Sequence, residues 1–151
     1  MKQKSLLFFT TLILACITTH SQSYRNMSRE DRLNKEYCSP LFDTQNGVYF
    51  DMLRDPQAVS AFSYQNILEW LEGRVAGLQV YRTGNNERIP YIRNSVAGIY
   101  VDEVWRDPGF LDNFPISDIG MIKVIKGPFL GGYNSPGGAI AIYTVIDTSL
   151  E

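Results

Sequence analysis

The stretch KGPFLGGYNSPGGAIAIYT, Lys126 to Thr144, decides how this chain is read. A lysine beside clustered glycines can mark a phosphate cradle; glycines with two prolines can equally mark a tight connection between strands. A phosphate-binding P-loop requires G-x-x-x-x-G-K-[ST], with the lysine after the glycines and a helix following. Here Lys126 precedes the glycines, and the alternating run GGAIAIYT follows them as a strand. No G-x-G-x-x-G opens a helix either. The loop therefore reads as a backbone device. Gly127, Gly131, Gly132, Gly137 and Gly138 supply positive φ angles and close backbone approach, while Pro128 and Pro136 pin its two ends.

The flanks of the loop are strands. Upstream, MIKVIKG places Ile122 and Val124 opposite Met121, Lys123 and Ile125. Downstream, Ala139, Ala141 and Tyr143 alternate with Ile140, Ile142 and Thr144, so both faces are largely covered. Further strands are expected in NGVYFDML (Asn46 to Leu53), LQVYR (Leu78 to Arg82), PYIRNS and GIYVDEV (Gly98 to Val104). The clearest helix is SYQNILEWLEGRVAG, in which Tyr64, Ile67, Leu68, Leu71 and Val75 form one apolar face. Ser63 is its expected N-cap and Gly77 its left-handed stop; Trp70 lies off the stripe, as a half-buried rim residue or a partner contact. Ser117 is expected to cap a single turn. The class is α+β: a small mixed sheet of four to five short strands with one main helix and a few short helical turns.

Residues 1–21 have the layout of a secretory signal peptide: Lys2 and Lys4, an apolar run from Leu6 to Ile17, then small and polar residues. The run is shorter than the roughly 20 residues a spanning helix needs. Cleavage after Ser21 is the preferred reading, and lipidation at Cys16 is the competing one. Residues 22–40 form a polar arm, expected to be solvated and partly disordered; in it Ser28 with Asp31 could cap a short helix. Residues 41–151 form the domain. Without Lys2 and Lys4 the chain carries 12 basic against 16 acidic residues, a formal charge of −4. No basic excess is left for nucleic acid.

Loss of the leader also removes Cys16 and His20, the sole histidine, leaving Cys38 alone. Such a chain has no intramolecular disulfide and lacks the usual zinc, haem or Ser-His-Asp sets. Asp102 and Glu103, taken as strand neighbours, point to opposite faces. Asp102 with Asp107, Asp112 or Asp118 has no supporting spacing. The expectation is no enzyme, no catalytic or metal-binding residue, no cofactor and no identified small-molecule substrate.

Four segments in order resemble the plug domain of TonB-dependent outer-membrane receptors, in particular the SusC-like branch. NILEWLEGRVAGLQVYR (Asn66 to Arg82) is similar to that family's helix ending in "L.GRVAG" and running into a strand. IYVDEV stands where the family often has "VIDGVP". FPISDIGMIKVIKGP (Phe114 to Pro128) is similar to "I.P.DI..IEV.KG", and GGYNSPGGAIAIYT (Gly131 to Thr144) to the glycine turn and "GG.I.I.T" strand. The family's barrel of several hundred residues is expected to be missing from this chain, and no TonB box is recognised in the arm.

The resemblance thus implies a stand-alone plug on the periplasmic side of the outer membrane. Its partner would be a separately encoded large β-barrel that it occludes or gates, such as a type 9 secretion translocon or a SusC-like transporter. The alternatives are a soluble periplasmic ligand-binding module with this fold, or an inactive receptor remnant. Candidate partner contacts are Trp105, Arg106 and Phe110 on one connection, with Phe114 beside them, and Phe129, Leu130 and Tyr133 on the glycine loop. Phe114 and Phe129 could instead close the core.

Overall fold

The computed structural model describes residues 27–43, 47–129 and 135–146. The expected leader, its cleavage site and Cys16 lie outside these residues, as do Leu130, Gly131, Gly132 and Tyr133. The elements run α1 (Arg29–Tyr37), β1 (Gly47–Asp51), a 3-10 segment (Pro56–Ser63), α2 (Ile67–Glu72), β2 (Leu78–Arg82), β3 (Arg88–Ile92), β4 (Ser95–Val101) and β5 (Val104–Arg106). Two more 3-10 turns (Pro108–Asp112 and Ile116–Asp118), β6 (Ile119–Lys126) and β7 (Gly138–Thr144) complete them.

The sheet has seven strands, in the order β1-β6-β7-β4-β3-β2, with β5 paired to β4. Only the β4–β7 pair is parallel among these pairings. The sheet is thus mixed, as expected, but larger than four to five strands. Part of the excess comes from GIYVDEV, which is a hairpin: β4 ends at Val101, Asp102 and Glu103 turn with φ of 48° and 66°, and β5 begins at Val104. Two consecutive positive φ values match the right-handed twist of the flanking strands. Neither residue is glycine, so no turn signal marked the position. Arg93 and Asn94, at φ 52° and 64°, make the same kind of turn between β3 and β4.

The helix is shorter than its apolar spacing suggests. Asn66 caps it, its side chain accepting the Leu68 N–H at 2.9 Å. Ser63 ends the preceding 3-10 segment, which Pro56 starts. Tyr64 has an extended backbone and is exposed, whereas Ile67, Leu68, Leu71 and Val75 are buried. Gly73 ends the α-helix; Gly77 does adopt φ +83°, at the turn into β2. Trp70 is neither rim nor surface. It is fully buried, its ring 5.1 Å from that of Phe50, its Nε1 donating to Ser60 Oγ, and the Arg74 guanidinium 4.5 Å from its centroid. Near Ser117 there is a single 3-10 turn, preceded by Pro115 with no side-chain cap.

The sheet has two covered faces. Ile122, Val124, Ile140 and Ile142 face α2, Val75 and the 3-10 segments in one apolar cluster. Met121, Ile125, Ala139, Ala141 and Tyr143 face a second cluster with Leu33, Phe42, Tyr100 and Phe129. This is the alternation read from β6 and β7. The segment expected to be a solvated arm is structured from Arg29 onward. Ser28 Oγ accepts the Asp31 N–H at 3.0 Å, as the spacing suggested, and Leu33 and Asn34 are buried in the body that begins at Leu33. One apolar and one amide side chain on a charged helix are too few to register as periodicity.

Candidate functional site

The described amides of the glycine loop donate to carbonyls of the loop itself and of β4. Gly127 N donates to Gly137 O (3.1 Å), Phe129 N to Ser135 O (3.3 Å), Gly138 N to Ser135 O (3.1 Å) and Gly137 N to Val96 O (2.9 Å). Amides committed to carbonyls are not aimed at an anion. Gly138 sits at φ +123°, and a Cβ there would lie 2.0 Å from Ile125 O; at Gly137 it would lie 2.1 Å from Ser95 O. Glycine at these two positions is a steric requirement of the β6–β7 and β3–β4 junctions. Pro136 lies in the turn before Gly137, and Pro128 follows Gly127. Phe129 was a candidate surface residue and is instead core. Its ring packs 4.8 Å from Phe42 and 5.5 Å from Tyr100, and its N–H donates to Ser135 O.

The connection from β5 to β6 differs. All three residues of β5 are exposed, Trp105 at 50%. Arg106 carries its guanidinium 5.0 Å from the centre of the Phe110 ring, and that ring lies 5.5 Å from Phe114. Phe110 is 40% exposed, while Phe114 is half-buried against the first cluster. Arg106 and Phe110 therefore form one exposed pair, whereas Trp105, which pairs with Tyr100 rather than with Ile99, is exposed on the other face of the sheet. Phe62 and Tyr64 are exposed across a shallow hollow of about 370 Å³ shared with Phe114.

A charged network missed in the sequence fixes this connection to the core. Arg88 on β3, 8% exposed, donates from Nε to Glu69 Oε1 on α2 (2.8 Å) and from a terminal nitrogen to Asp112 Oδ1 (2.5 Å). Asn66 donates to the same Asp112 oxygen (2.9 Å), and Arg82 pairs with Glu69. The Arg88 hydrogen bond, opposed in part by desolvation, holds the Glu69 carboxyl below its ordinary value. Asp112 thus closes the 3-10 turn bearing Phe110 onto the helix and sheet. Its partners lie 24 and 46 residues away in sequence, so no local pattern shows the cluster.

Asp102 and Glu103, expected on opposite faces of a strand, sit together at the β4–β5 turn. Asp102 accepts from Thr144 N (2.9 Å) and its hydroxyl; Glu103 Oε1 accepts from Tyr143 OH (3.1 Å) and Ser39 N (2.6 Å). They line an open hollow of about 360 Å³ with Glu36, Cys38 and Tyr143. Burial pushes both the Cys38 thiol and the Tyr143 phenol up, which keeps them protonated. Asp107 caps Gly109 and Asp112 faces Arg88, so neither of these two is committed to Asp102, and the Asp118 carboxylate accepts from Ser117 Oγ. Among the described residues no group of three or more His, Cys, Asp or Glu side chains could hold a metal ion.

No protein-family model and no curated protein matches the chain. Among solved structures, the siderophore receptor PirA from Acinetobacter baumannii is similar at a TM-score of 0.52 and 17% identity, over 80% of this chain and 19% of that one. The ferric yersiniabactin uptake receptor FyuA from Yersinia pestis is similar at 0.52 and 18%, over 68% and 17%. FpvAI, in its complex with pyocin S2, is similar at 0.53 and 18%, over 73% and 15%. These are TonB-dependent receptors, and the fold of this chain is plug-like. The chain spans less than a fifth of each.

Proposed function

We propose that this chain is a non-enzymatic plug subunit that occludes or gates a large outer-membrane β-barrel encoded separately. The observation that carries the reading is the plug-like fold, shared with barrel receptors in which the plug sits inside the barrel. A lumen is polar and its plug must hold a rigid shape; a seven-strand sheet with tight turns and internally bonded loops suits that task. No helix among the described residues is long and apolar enough to cross a membrane. In this reading attachment comes from the barrel or from a lipid at Cys16. Trp105, Arg106 and Phe110 are the proposed contacts, with Leu130 and Tyr133 on the glycine loop. A type 9 secretion translocon or a SusC-like transporter would be a suitable barrel.

The test is capture of the tagged protein from membranes in mild detergent, with mass spectrometry of what accompanies it. A stoichiometric outer-membrane barrel, lost with Trp105→Ala and Phe110→Ala together, supports the proposal. Recovery of a lone periplasmic monomer overturns it. The hollow beside Glu103 and Cys38 favours a second reading, a periplasmic ligand-binding module; a bound small molecule without any barrel would establish it.

A further inference from the structure

Lys123 is fully buried in the middle of β6, on the face opposite α2. Its ammonium donates to Asn34 Oδ1 (2.7 Å) and to Phe42 O (2.5 Å), and lies 4.8 Å from the centre of the Tyr49 ring. Both acceptors belong to one stretch, residues 33–43. That stretch also supplies Leu33 and Phe42 to the second cluster, Tyr37 against Tyr143 (5.8 Å between rings) and Ser39 N to Glu103. Phe129 and Ser135 cover the Tyr100 end of this face, and residues 33–43 supply Leu33, Tyr37, Cys38 and Phe42 over the rest. The opposite face is covered by α2, its following turn and all three 3-10 segments, tied down by the Trp70 and Arg88 contacts.

The two covers differ in what their loss would cost. Lifting the α2 face exposes many apolar side chains at once. Lifting residues 33–43 exposes few, and it returns a buried ammonium to water. Hydration of that ammonium offsets part of the cost of opening, while the Asn34 and Phe42 acceptors oppose it. Such a balance is the condition for local opening below the global unfolding free energy.

We propose that residues 33–43 form a strap that opens from the sheet as a unit of its own, with Lys123 as its latch. Opening bares Tyr100, Met121, Ala141 and Tyr143 around a central ammonium, a surface absent from the closed domain. The inference does not depend on the barrel reading.

Adjacent residues of β6 supply the test, because Met121 lies under the strap and Ile122 under the opposite cover, both fully buried. Met121→Cys and Ile122→Cys are each made with Cys38→Ser. Thiol labelling is followed under native conditions, and the labelled peptide is identified by mass. The strap predicts labelling at position 121 at least about tenfold faster than at 122, with weak dependence on denaturant. Asn34→Ala, which removes an acceptor from a charged donor, should accelerate 121 by a further tenfold or so and leave the 121-to-122 difference wider. Equal rates at both positions, rising together with denaturant, overturn the proposal. If either cysteine variant fails to fold, native-state hydrogen exchange at Cys38 N and Phe42 N decides instead. Exchange only through global unfolding, at the same free energy as β6 and β7 amides, rejects the strap.

Discussion

The two longest connections around β6 contrast in how their residues are used. The glycine loop between β6 and β7 carries the more conspicuous sequence, yet its described amides and Phe129 are turned inward. β5 and the connection to β6 have no comparable motif, yet they expose Trp105 on one face of the sheet and Arg106 with Phe110 on the other, the latter beside a frame held by Arg88 and Asp112. A glycine-rich stretch signals backbone geometry, which is a demand of the fold. Surface chemistry lies where ordinary side chains are left outside by neighbours that are already satisfied.

Breaking the glycine junction should have the largest effect. Gly138→Val places a side chain against Ile125 O at a φ unfavourable to any L-residue, and should destabilise the domain by about 3–5 kcal/mol in urea unfolding. Gly127→Ala sharpens the point. Its φ is +111° but no atom lies within 4 Å of the added Cβ, so only backbone strain of about 1–2 kcal/mol is expected. Similar losses for both would show that packing at Gly138 is not what makes it glycine.

On the other connection, Arg88→Met should cost about 2–3 kcal/mol, since Asp112 loses a charged partner and Glu69 one of two. The same network sets an acid limit. Glu69 has its folded-state pKa lowered, first by Arg88, so its contribution is present above the ordinary value of 4.5 and is lost as pH falls through the folded value. Unfolding midpoints at about pH 7 and about pH 3 should therefore differ less in Arg88→Met than in the parent. An unchanged difference would mean that other carboxylates control the acid limb. The smallest stability effect is expected for Trp105→Ala, within about 0.5 kcal/mol, because half the side chain is already exposed. Its effect should appear in barrel capture, with affinity reduced tenfold or more, as large aromatic anchors do.

Much of the framework was legible. The facing of Ile122 and Val124 against Met121 and Ile125, the strand at 78–82, the positive φ at Gly77, Gly127 and Gly138 and the Ser28 cap all follow from period, turn chemistry or a three-residue spacing. The Asp102–Glu103 hairpin was not, because two acidic residues occupy a turn that is usually signalled by asparagine or glycine. Trp70 was misplaced by a helical wheel drawn through residues that are not helical. The Asp112 tether and the Lys123 contacts to Asn34 and Phe42 were invisible, since each joins residues tens of positions apart.

Local order in this chain is thus a property of the sequence: alternation sets which side of a strand is apolar, and glycine sets where the backbone can turn left-handed. Tertiary structure alone decided which charges are buried, which aromatics stay outside, and that residues 33–43 cover one face of the sheet. Those outcomes depend on which distant group satisfies a buried donor or acceptor, and pairing of that kind leaves no period along the chain.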